Sequence, residues 1–98
     1  MKIEKTTAGQ TMTFAVEGRL DTLTAPQLDG EIQGKLDGVT ELIFDFVNLE
    51  YISSAGLRIL LSAQKVMNKQ GRMVIRNAKP EVKEIFEVTG FNDILTLE

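Results

Sequence analysis

The sequence has no cysteine and no histidine. Without thiols there is no disulfide, no thiolate nucleophile and no cysteine-ligated zinc, which fits a reducing compartment. Without imidazole no serine has a histidine base to take its proton. A Ser-His-Asp hydrolase is therefore excluded, along with histidine metal sites and histidine phosphorelay. No run approaches the ~18 apolar residues that span a bilayer, and the start, MKIEKTTAGQ, lacks the apolar stretch of a secretory signal. A cytoplasmic protein without membrane insertion is the expectation. There is no G-x-x-x-x-G-K-[ST] loop to cradle a nucleotide. The chain is expected to be no enzyme, with no catalytic residue, no cofactor and no metal.

What is present is ordinary for a globular domain: 98 residues, 43% apolar and 26% charged. That length predicts one domain over residues 1–98, with one core. The net charge of −3 offers nucleic acid and anionic lipid no long-range attraction. The charge is uneven. The first fifty residues hold nine acids and four bases and the remainder five and seven, together the 14 and 11 of the whole chain. Lys65, Lys69, Arg72, Arg76, Lys79 and Lys83 form either one positive edge or the solvated faces of separate elements.

Residues 2–6 and 11–17 alternate in polarity around Ala8-Gly9-Gln10, which predicts a hairpin with Met12, Phe14 and Val16 on one face. Residues 18–21 lead into a first helix. Thr24 is placed to cap it, Pro26 falls in the first turn, and Gln27 completes a T-x-x-Q capping box. Leu28, Ile32 and Leu36 make its apolar stripe, and Gly38 closes it. The run 42–46 (LIFDF) reads as a central strand covered on both faces. A second helix carries Leu57, Leu60, Leu61, Ala63 and Met67, with Ile59 and Val66 widening the stripe, and ends at Gly71. Residues 72–76 form a short strand. Pro80 opens a third helix with Val82, Ile85 and Phe86 inward, and Gly90 ends it. Residues 94–97 suggest a last strand. The order β-β-α-β-α-β-α-β predicts an α/β domain. Its mixed sheet has an antiparallel N-terminal hairpin, mostly parallel strands thereafter, and helices mainly on one face.

Between the central strand and the second helix lies EYISSAGLRILL, residues 50–61, with paired hydroxyls at Ser53 and Ser54. Loops at the carboxyl ends of parallel strands are where ligands and partners meet such sheets. Ser54 stands at, or one residue from, the helix N-cap, where free N–H groups and a partial positive charge favour an anion. A phosphate on Ser54 would find donors there. The competing reading is a plain cap worth about 1 kcal/mol, with Gly56 only letting the backbone pack closely.

The segment DFVNLEYISSAGLRILLSAQK (45–65) resembles the signature of STAS domains, specifically the bacterial anti-sigma-factor antagonists. GRLDTLTAPQL (18–28), RMVIRNAKPEV (72–82) and FEVTGFNDIL (86–95) resemble further stretches of that family, so the likeness covers essentially the whole chain. It implies that Ser54, preceding Ala55-Gly56-Leu57, is the phosphoacceptor, with Ser53 as second choice. The family often has aspartate where this chain has Ser53, and Ser or Thr where it has Ala55.

The resemblance further implies a catalytically inert switch. Its unphosphorylated form binds an anti-sigma factor that is also a serine kinase, and so frees the sigma factor. Phosphorylation ends the binding and a phosphoserine phosphatase restores it. Partner contacts are expected at Asp21, Thr22, Ser53, Ser54, Gly56, Leu57 and Arg58. Asp21, Asp45 and Glu50 are expected near one end of the sheet, and the free protein is expected to be a monomer. The alternative within the same family is a STAS subunit docked on an ABC-type lipid-transporter ATPase, in which Ser54 is only a cap.

Overall fold

The computed structural model describes residues 1–98. Lys2–Ala8 (β1) and Thr11–Leu20 (β2) form the antiparallel hairpin, turning at Gly9-Gln10. Ala25–Ile32 (α1), Glu41–Asp45 (β3), Leu49–Ile52 (β4), Ser54–Met67 (α2), Arg72–Arg76 (β5) and Pro80–Val88 (α3) follow, then a 3-10 turn at Phe91–Asp93. The sheet runs β1-β2-β3-β5, with β4 paired to β2 off that path. Apart from the hairpin, the strand pairs are parallel. The expected mixed sheet is present, and no helix is long and apolar enough to cross a membrane.

β2 is the longest strand and changes partner along its length. Its Thr11–Ala15 half pairs with β3, while Gly18–Leu20 pairs with β4. The register shifts between Gly18 and Arg19, so Gly18 faces Leu49 and Arg19 faces Tyr51. Gly18 has φ 96, a backbone that side-chain-bearing residues rarely adopt, and it sits where the strand needs that kink.

The core lies between one sheet face and all three helices. Met12, Phe14 and Val16 of β2, Leu42 and Phe44 of β3 and Met73 and Ile75 of β5 alternate inward. They meet Leu28 and Ile32 of α1, Leu57, Leu60 and Met67 of α2, and Val82 and Phe86 of α3. Phe14 and Phe44 stack at 5.7 Å between ring centroids. On the opposite face Ile43 and Val74 are also buried, yet they stand outside this core. Arg72 and Arg76 flank Val74 and converge on Glu98 at 2.8 and 3.0 Å, and Arg72 also meets Glu41 at 3.2 Å. The double guanidinium contact, Arg76 first, holds the Glu98 carboxyl below its usual range. Side chains rather than a helix layer thus cover that face, so the apolar run 42–46 does not signify helices on both sides. The same pairs consume two of the six bases that could have made a positive edge.

Four local expectations change. The stretch 47–52 contains β4 rather than only a loop. The 94–97 segment contributes one bridge, Leu97 to Ile75, rather than a strand. α1 stops at Ile32 and α2 at Met67, short of Gly38 and Gly71. Gly30 and Gly34 weaken the window that would have extended α1, and Leu36 reaches the core from the turn that follows. Finally, the Thr24–Gln27 capping box does not form. Thr24 is the N-cap of α1 but makes no side-chain cap bond, because its hydroxyl is used elsewhere.

Candidate functional site

The site is assembled where β2 and β4 end side by side. Leu20 pairs with Ile52, and the Ser53 N–H donates to the Leu20 carbonyl at 2.8 Å. This places the residues after β2 directly beside the start of α2. Ser53 is the N-cap, in extended conformation (φ −96, ψ 177), and its carbonyl accepts the first helical bond from Leu57 N–H at 2.9 Å. Its hydroxyl caps nothing: Ser53 Oγ is buried and has no hydrogen-bond partner. Ser54 is the first helical residue, and it is exposed. By position, the N–H groups of Ser54, Ala55 and Gly56 have no intrahelical acceptor.

Gly56 explains why the first turn sits so low. A Cβ there would lie 2.8 Å from Ile52 Cγ1 and 2.8 Å from Leu20 Cγ. Only a glycine lets α2 start directly on the ends of β2 and β4. That seating turns Ser53 inward and leaves Ser54 facing water.

The loop after β2 is built from its own polar atoms. Asp21 Oδ1 accepts the N–H groups of Leu23 and Thr24 at 3.0 and 3.1 Å. Thr24 Oγ1 donates to the Arg19 carbonyl at 2.7 Å and accepts the Asp21 N–H at 2.9 Å. The Ala25 N–H donates to the Asp21 carbonyl at 2.8 Å, closing the loop onto α1. Those donors, the Thr24 N–H foremost, hold the Asp21 carboxyl below its ordinary range, so it is ionised at neutral pH. Arg19 lies over the Tyr51 ring at 4.3 Å and approaches Asp21 at 3.8 Å, joining the loop to β4. At such exposure the ion pair itself adds little.

These elements gather most of the expected residues. Asp21 is half-buried at the loop base, while Thr22, Ser54 and Arg58 are exposed. Thr22, Ala25, Pro26, Ala55, Arg58 and Ile59 line an open groove between α1 and α2. Two further expected partner contacts, Gly56 and Leu57, are buried in the first turn of α2. Asp45 is also displaced from the site. It is level with Ala15 on β2, about six positions or roughly 20 Å of strand before Asp21. There it holds Val47 N–H at 3.1 Å and Asn77 Nδ2 at 3.2 Å. Glu50 is exposed on β4, where the register shift leaves it without a facing residue. Partner contacts are expected from the 18–24 loop, and one residue of that loop, not singled out by the sequence pattern, stands out in the structure. Leu23 is 90% exposed, the most exposed of the large apolar side chains. Its signal was a leucine inside D-T-L-T, between an Asx-type acceptor and a cap, where no helical stripe can use it.

Residues 2–98 match the family model of the STAS domain, and the chain belongs to that family. BtrV of Bordetella bronchiseptica, whose name assigns it provisionally to the anti-sigma factor antagonists, is 40% identical over 81 residues, covering 81% of this chain and 70% of its own. The anti-sigma-B factor antagonist of Staphylococcus aureus is 27% identical over 97 residues, covering 97% and 90%. Among solved structures, the Bacillus cell-fate determinant SpoIIAA in its phosphorylated form superposes with a TM-score of 0.78 at 20% identity, over 99% of this chain and 91% of its own. At that identity the likeness establishes the fold.

Proposed function

We propose that this chain is an anti-sigma-factor antagonist switched by phosphorylation of Ser54. The unphosphorylated form binds a serine-kinase anti-sigma factor in the cytoplasm and releases the sigma factor; a phosphoserine phosphatase resets it. The names of the relatives support the antagonist class. The observation that carries the switch is the division of labour between the paired serines. Ser53 Oγ is buried without a partner, whereas Ser54 is exposed at the first position of α2. A kinase can reach only the second, and Ser54, not being the N-cap, has no capping duty to explain it.

The off state follows from charge. A phosphoserine brings about −1.5 to −2 at neutral pH. Here it would sit on the exposed helix start, beside a loop whose aspartate is already ionised. Against a partner carboxylate at ~6 Å, with an effective dielectric of ~20, each unit charge pair costs nearly 3 kcal/mol, roughly a hundredfold in affinity. No refolding is needed. Arg58, one turn along α2, is spaced to meet the phosphate within the chain.

The test combines two measurements. Tandem mass spectrometry of the protein from its native cells is expected to show a phosphate on Ser54. Ser54→Asp is expected to weaken binding to the anti-sigma factor on the order of a hundredfold, while Ser54→Ala binds as wild type. Undiminished binding by Ser54→Asp would sink the switch.

A further inference from the structure

We infer that Leu23 is the apolar anchor of the partner interface. It is the residue that enters a nonpolar pocket on the serine-kinase anti-sigma factor when the unphosphorylated protein binds. This rests on the antagonist reading above.

The first observation is exposure. Leu23 is 90% open to water, the most exposed of the large apolar side chains, and gains nothing from the fold. The second is rigidity. The turn that presents it is fixed on both sides: Leu23 N–H and Thr24 N–H are held by Asp21 Oδ1, and Thr24 Oγ1 is tied to the Arg19 carbonyl. A side chain displayed on a pre-organised turn loses little backbone entropy when it is captured, the condition under which one residue contributes strongly to binding. The third is position. The Ser53 N–H bond to the Leu20 carbonyl joins this turn to the start of α2, and the exposed Leu23 and Ser54 are the chain neighbours of Thr22 and Ala55, which line one groove. Arg58 lines the same groove between α1 and α2.

The division of roles follows. Ser54 supplies the charge that decides whether the face can be approached, and Leu23 supplies the buried area that makes the approach worthwhile. The two contributions differ in kind: one is electrostatic and screened by salt, the other is not.

The experiment uses the whole chain and the purified serine-kinase anti-sigma factors encoded in the same genome, with binding measured by calorimetry at low and high salt. Leu23→Ala is expected to weaken binding about ten- to a hundredfold, the loss of a fully buried leucine. Leu23→Met is expected to stay within about threefold of wild type. Both variants should keep the wild-type melting temperature, because the side chain touches no core. The loss in Leu23→Ala should be the same at both salt concentrations, whereas the loss in Ser54→Asp should shrink as salt rises. If wild type binds and Leu23→Ala binds equally well, the anchor is overturned while the antagonist reading stands. If wild type binds none of these kinases, both fall. If sedimentation shows that Leu23→Ala abolishes a wild-type dimer and leaves kinase binding intact, Leu23 is a self-association contact and the inference is overturned.

Discussion

The starts of α1 and α2 lie side by side, begin with similar residues, and use them in opposite ways. Before α1, the side chains of Asp21 and Thr24 are engaged inside the fold: Asp21 gathers two N–H groups, and the Thr24 hydroxyl bridges the Arg19 carbonyl and the Asp21 N–H. Before α2, the Ser53 hydroxyl is buried without a partner, and Ser54 stands in water. Hydroxyls at helix starts usually hold the helix. The first region shows hydroxyl and carboxylate chemistry spent on rigidity. The second shows a helix start held by apolar packing under Gly56, leaving the exposed Ser54 hydroxyl free for something else.

That contrast can be broken most forcefully at Gly56. Gly56→Ala brings a methyl to 2.8 Å from Ile52 and Leu20, so the first turn of α2 must lift. Overpacking costs about 1–3 kcal/mol and outweighs the helix-propensity gain of alanine. Urea unfolding with an unchanged midpoint would show that the seat is not tight. A paired comparison comes next. Thr24→Val removes a hydroxyl that donates at 2.7 Å and accepts at 2.9 Å, and should cost about 1–2 kcal/mol. Ser53→Ala removes a hydroxyl with no partner and should leave stability unchanged or raise it by up to about 1 kcal/mol. Equal losses in the two variants would erase the distinction between the two helix starts.

The smallest effect is a pH dependence confined to the first region. The Asp21 carboxyl is held low in the fold, chiefly by the Thr24 N–H. Its contribution is therefore present above its unfolded pKa and is lost as pH falls through the folded value. Asp21 should titrate by NMR below the usual aspartate range. The stability gap between wild type and Asp21→Asn should close on acidification below about pH 4. A gap that persists there would mean the carboxylate charge is not what holds the turn.

Much of the fold was legible because its core strands and helices are periodic. Met12, Phe14 and Val16 alternate, and Val82 and Phe86 repeat one helical turn apart, as their burial confirms. β4 was not legible. It has four residues, pairs only with the end of β2, and depends on a kink at Gly18 that no alternation announces. The run 42–46 was legible as a strand covered on both faces: Leu42 and Phe44 enter the core, and Ile43 is buried on the other side. At the site, the sequence brought Asp21, Thr22, Ser54 and Arg58 to one region but could not say which hydroxyl was buried. That depends on Gly56 pulling the turn down against Leu20, a contact between residues far apart in the chain. Leu23 was covered only as part of the 18–24 loop and not singled out, because apolar residues are sought where they can be buried, and this one is held out of the core by the polar atoms on either side of it.

The change of partner along β2 divides the sheet into unequal holdings. Five register positions tie β2 to β3, and five more tie β3 to β5. Only three tie β2 to β4, with a dislocation between the first two. The strand leading to Ser54 is therefore held less by its ladder than by its side chains, since Leu49 and Ile52 are fully buried in the core. A ladder that ends so early lets the chain pass from β4 into α2 through Ser53 alone, and Ser54 reaches the surface of a fold that has nothing to rearrange.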